Sequence, residues 1–108
     1  MIRAQVGNLN GAPAKGLPPL KMHDAGQGFR THDPRIVSTV TSWPCALALA
    51  STFDRSSVAA FATAAAAEFR AKGANVVLGP GLNVHRVARG GRNAEYLSGE
   101  DPVLGAQL

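Results

Sequence analysis

Apolar positions fall into distinct regimes along this chain. Within residues 54–72, Val58, Phe61, Ala62, Ala65 and Phe69 recur at i, i+3, i+4, i+7 and i+11, a spacing that gathers side chains into one stripe of an α-helix. The alanines at 64–67 favour helix intrinsically and let its backbone approach a sheet closely. Asp54 supplies an N-cap acceptor, with Thr52 and Ser51 as alternatives. Gly73 supplies a left-handed stop, with Arg70 and Lys72 near the negative end of the dipole. The run Val76, Val77 and Leu78 then has the composition of a strand buried on both faces of a parallel sheet, and Gly79, Pro80 and Gly81 end it. From Leu82 onward the period disappears, yet Asn83, His85, Arg86, Arg89, Arg92, Asn93, Glu95, Glu100 and Asp101 crowd into the loop. A polar loop just past the carboxyl end of a buried parallel strand is where barrels and open α/β sheets place ligand sites.

The other segments fit around this unit. Residues 1–16 mix Gly, Asn, Ala and Pro without a period and read as an irregular arm. Pro18 and Pro19 exclude a central strand there but allow one to begin just after, over 20–23. That strand would open into 23–30, where Gly26 and Gly28 let Asp24 and Arg30 turn toward one cleft. Residues 31–42 read as a loop with a β-like patch at Ile36, Val37 and Val40. The CALALA run at 45–50 suits a helical turn or a short strand equally. Glu100, Asp101 and Pro102 mark a helix start. Helix, glycine, then strand is the rhythm of an α/β unit.

Composition narrows the function classes. The 108 residues suffice for one small domain, and an apolar fraction of 45% argues against disorder. A (β/α)₈ barrel takes about 250 residues, so the expected fold class is α/β, the N-terminal part of a TIM-like barrel, incomplete in this chain. The net charge of +4 would favour polyanions only modestly, and the few aromatic residues do not interleave with the basic ones. No nucleic-acid partner is expected. No apolar run reaches the roughly 18 residues of a membrane span, and 1–15 lacks the apolar core of a signal peptide. No membrane partner is therefore expected, and the compartment is left open. Cys45, the single cysteine, sits among apolar neighbours and reads as a buried small hydrophobe. His23 and His32 have no third ligand at a recognised metal spacing, so no metal is expected.

Several motifs taken together resemble one family. DAGQGFR at 24–30, TSWP at 41–44, NVVLGP at 75–80, GRNAE at 91–95 and GEDP at 99–102 occur in the order and spacing of the N-terminal barrel domain of glycoside hydrolase family 3, which includes β-glucosidases and β-xylosidases. The resemblance covers 17–108, leaving 1–16 as the arm, and the form of the second loop looks like the β-glucosidase branch. It implies a β-glucoside or oligosaccharide substrate and no cofactor. It implies sugar-binding roles for Asp24 and Arg30, the ends of the family's DGPxGxR motif, and for Arg92, from its GRxxE motif. The chemistry agrees, because a carboxylate accepts from vicinal hydroxyls and a guanidinium presents a rigid fork of donors. Where the family has Gly-Pro after the Asp, this chain has Ala25 and Gly26, so the turn aiming Asp24 lacks a rigid element.

The resemblance assigns no catalytic residue here. The family's nucleophile, its acid/base and a Lys-His pair that grips the sugar would all lie beyond Leu108, in the rest of the barrel and a second domain. Glu95 reads as an ion-pair partner orienting an arginine, and Glu100 and Asp101 as helix-start acids. The expectation is a fragment of a retaining glycoside hydrolase, inactive alone. Two rivals are a basic interaction module built on Arg86, Arg89 and Arg92, and a non-functional gene fragment.

Overall fold

The computed structural model describes residues 8–24 and 26–108. From residue 8 the chain enters a hairpin. Leu9 and Leu20 exchange backbone hydrogen bonds of 2.9 and 3.0 Å, Ala12 pairs with Leu17, and a 3₁₀ turn at Pro13–Lys15 closes the end. The segment expected to be irregular is thus hydrogen-bonded over its described part. Its partner side carries Pro18 and Pro19 between the paired positions, where a missing N–H costs no ladder bond.

Strand β1 (Met22–His23) lies parallel to β2 (Val76–Val77), Met22 opposite Val76 and His23 opposite Val77. The amide of Leu78 donates to the His23 carbonyl at 2.7 Å and extends the ladder by one bond. Asn75 locks the register from below: its Oδ1 accepts the Lys21 amide at 2.7 Å and its Nδ2 donates to the Pro19 carbonyl at 2.9 Å. The strand expected over 20–23 is shorter at its start because Leu20 is engaged in the hairpin. The expected burial of the second strand on both faces is corrected: Val76 is half-buried, while Val77 and Leu78 are 45% and 50% exposed. Among the described residues the sheet has two strands, too few to cover both faces of the second strand.

Between the strands come two helices, α1 (Ala46–Ala50) and α2 (Arg55–Ala71). The CALALA run is therefore helical. Cys45, at its N-cap, is half-buried rather than buried, since it stands where the chain enters the helix from the surface. Asp54 caps α2, accepting from the Ser56 amide at 2.9 Å and from the Ser56 and Ser57 hydroxyls at 2.7 and 2.6 Å. These donors hold its carboxyl down at about 2, below the ordinary 3.8. At the other end Gly73, with φ of 92°, takes the left-handed conformation and donates to the Arg70 carbonyl.

The buried stripe of α2 is narrower than its period suggests. Val58 and Phe69 are buried and Phe61 and Ala65 half-buried, but Ala62 is exposed, off the line of contact with the short sheet. Phe69 meets Phe29 edge-on at 5.4 Å, and Ala74, Ile36 and Val40 complete the cluster. His23 stacks on the other side of Phe29 at 4.3 Å. The patch around Ile36 is a 3₁₀ turn at Val37–Thr39 rather than β-like, with Ile36 and Val40 turned to the core and Val37 outward. Helix α3 (Pro102–Gln107) begins as expected, Asp101 accepting from the Val103 and Leu104 amides. No helix among the described residues is long and apolar enough to cross a membrane.

Two outcomes follow from this packing. Phe69→Ala should cost about 3–5 kcal/mol, the usual penalty for an emptied aromatic site, and chemical denaturation should show the midpoint collapse. Asp54→Ala should lower the melting temperature by a few degrees at neutral pH. Because the folded carboxyl is depressed, its contribution is present above its ordinary value and lost as pH falls toward 2. Melts run from pH 7 down to 2 should therefore show the gap between parent and variant closing.

Candidate functional site

The two parallel strands end at the same edge of the sheet, and their exits form a cleft of about 430 Å³. The first exit contributes Asp24, Gly26, Gln27 and Arg30; the second contributes Leu78, Gly79, Pro80 and Gly81. Ala46 of α1 and Phe61 of α2 form an apolar wall, and Arg92 and Glu95 reach in from the later loop. That loop is anchored locally. Leu97 donates to the Gly81 carbonyl at 3.0 Å, and Asn93 Nδ2 donates to the carbonyls of Val87 and Ala88 at 3.0 and 3.2 Å. Arg92 stands at the N-terminal boundary of a 3₁₀ turn, Asn93–Glu95, that brings Glu95 back beneath it.

The structure brings Asp24, Arg30 and Arg92 to one cleft, though 68 positions separate the first and last in the chain (92 less 24). Arg30 Nη1 is 3.7 Å from Asp24 Oδ1, too long for a hydrogen bond, so both groups keep free valences. Arg92 is held firmly, its Nε donating to Glu95 Oε2 at 2.8 Å and its Nη2 to Oε1 at 2.6 Å. This side-on pairing occupies one edge of the guanidinium and leaves Nη1 available. Hydrogen bonding by Arg92 pulls the Glu95 carboxyl below its ordinary value, and Glu95, with a smaller attraction from Asp24, raises Arg92. A depressed carboxyl suits a fixed counter-charge and not a proton donor poised near neutrality.

Glu95 thus stands as the sequence suggested, as the partner orienting an arginine. Glu100 is exposed and absent from the cleft lining, and Asp101 caps α3. Of the basic trio, Arg92 belongs to the cleft, whereas Arg86 and Arg89 are exposed and do not line it. Sequence reasoning did not find Gln27, Ala46, Phe61 or Pro80. Phe61 falls within the apolar stripe of α2, and nothing in its spacing separates a core residue from one facing a cleft. Among the described residues no group of three or more His, Cys, Asp and Glu is placed to hold a metal ion.

A probable β-glucosidase J from Aspergillus fumigatus is 44% identical over 94 residues, covering 85% of this chain and 10% of that protein. The crystal structure of DesR, a β-glucosidase from Streptomyces venezuelae in complex with D-glucose, superposes with a TM-score of 0.83 at 38% identity over 94% of this chain and 12% of that one. A glycoside hydrolase family 3 β-glucosidase of Bifidobacterium adolescentis gives 0.79 at 35% identity, covering 93% of this chain and 14% of that one. No family model matches the chain. It spans about a tenth of the length of the curated relatives it matches. Identity at this level over nearly the whole chain, with agreement of the fold, shows that the protein belongs to glycoside hydrolase family 3, as a short stretch of its β-glucosidase branch.

Proposed function

We propose that this chain supplies part of the sugar-binding subsite of a retaining β-glucosidase acting on terminal β-D-glucosides. Residues 17–108 form the first part of a (β/α)₈ barrel whose remaining strands and a second domain carry the chemical step. The observation that supports this best is the meeting of Asp24, Arg30 and Arg92 in one cleft at the carboxyl ends of two parallel strands. In this reading the Asp24 carboxylate accepts from adjacent sugar hydroxyls, and Arg30 and the free edge of Arg92 donate to others. Phe61 offers an aromatic wall to the C–H face of the ring. A β-glucosidase solved with D-glucose among the structural neighbours is consistent with such a ligand.

Binding, not turnover, is the activity assigned to the chain. Retention of configuration needs two carboxyl groups about 5–5.5 Å apart, one as nucleophile and one as proton donor. The cleft's second carboxyl, Glu95, is tied to Arg92 and so is unsuited to move a proton.

Glucose added to the isotope-labelled chain should shift amide resonances of 26–30, of Gly79 and Gly81, and of 92–95, and Asp24→Ala should weaken the effect about tenfold or more. Shifts confined to other regions, or none at tens of millimolar sugar, would sink the reading. The 108-residue chain should not release nitrophenol from an aryl β-glucoside; turnover that disappears in Asp24→Ala would show that the chain does the chemistry itself.

A further inference from the structure

The turn carrying Arg30 has no proline to stiffen it, and it is braced from outside instead. The Trp43 amide donates to the Gln27 carbonyl at 2.8 Å. A Cβ on Gly28 would lie 2.8 Å from the Thr41 carbonyl oxygen, so residues 41–43 press directly along the turn. Residues 39–43 are in turn fastened to α2 at three points. Glu68 Oε1 accepts the Thr41 amide at 3.0 Å, Lys72 Nζ donates to the Thr39 carbonyl and hydroxyl at 3.0 and 2.8 Å, and the Trp43 ring meets Phe61 edge-on at 5.6 Å. The side chains of Glu68 and Lys72 are 14% and 12% exposed and lie 3.9 Å apart, so each largely desolvated charge has its counter-charge beside it. The Thr41 amide, helped by Lys72, holds the Glu68 carboxyl below its ordinary value, which keeps the acceptor ionised.

We propose that Glu68 is a positioning residue: through Thr41 and Trp43 it fixes the 26–30 turn and thereby sets where Arg30 stands in the cleft. The functional consequence rests on the sugar-binding reading, whereas the mechanical link does not. Glu68 does not itself line the cleft.

The full chain is compared with Glu68→Met, which keeps helix propensity and length but removes the acceptor, and with Glu68→Gln, which keeps an oxygen for the Thr41 amide. The first readout is hydrogen exchange of the Trp43 amide relative to that of Leu78, which bonds to His23 in the sheet. Glu68→Met should speed Trp43 exchange about tenfold relative to Leu78 and weaken glucose binding roughly tenfold, and Glu68→Gln should restore most of both. Should Glu68→Met unfold the chain, Glu68→Met with Lys72→Met leaves no unpaired charge and is read against Lys72→Met alone, which removes only the tether to Thr39. Unchanged Trp43 protection, or equal loss at Trp43 and Leu78, overturns the proposal. So does faster Trp43 exchange with undiminished glucose affinity, which severs the brace from the cleft. A parent chain that binds no glucose overturns the sugar-binding reading alone, while the exchange ratio still decides whether Glu68 holds the turn.

Discussion

The parallel pairing of Met22 with Val76 and of His23 with Val77 is the constraint on which the rest of this structure depends. A parallel pair requires a long crossover, and α2 provides it. The same orientation sends both chain exits out at one edge, so Asp24 emerges beside Gly79 and Pro80. The backbone ladder, extended by the Asn75, Val76 and Leu78 amides, and the two bonds made by the Asn75 side chain define the register. A slip of one residue would turn His23 away from Phe29 and carry Asp24 to the other face.

Within the cleft, charge is arranged in two different ways. Arg92 and Glu95 form a close bidentate pair that settles the orientation of one guanidinium, while Asp24 and Arg30 form only a loose ion pair at 3.7 Å, with no hydrogen bond between them. Oriented donors on one side and a carboxylate with unused lone pairs on the other are what the proposed sugar ligand, with donors and acceptors on adjacent carbons, would call on. A stretch covering a tenth of its relatives' length thus gathers Asp24, Arg30 and Arg92 into one cleft. The groups cluster because the strand exits that carry them are neighbours in the sheet, whatever is built around them.

Helix α2 serves both core and cleft. Phe69 anchors Phe29, Phe61 walls the cleft, and Glu68 and Lys72 fasten the 39–43 segment. Phe61, Ala65, Glu68 and Lys72 stand at i, i+4, i+7 and i+11, so the inward face of the helix carries a charge pair in line with its apolar residues. Reading only apolar positions along 54–72 misses that pair. It is identified as inward-facing only by the backbone groups of Thr39 and Thr41 that lie against it.

The sequence by itself determined α2 with its Asp54 cap and Gly73 stop, the start of α3 at Asp101 and Pro102, and the strand sites near Met22 and Val76. Each of these is written within a few residues, as a period, a capping oxygen or a backbone angle. The family resemblance implied a shared role for Asp24, Arg30 and Arg92, and the structure lines one cleft with all three. Tertiary structure alone decided that residues 8–20 form a hairpin, that the 45–50 run is a helix, that Ala62, Val77 and Leu78 face solvent, and that Phe61 and Gln27 line the cleft. Exposure and convergence depend on which distant segment arrives opposite a residue, and that is settled by the pairing of the strands and the packing of the helices between them, not by any neighbour in the chain.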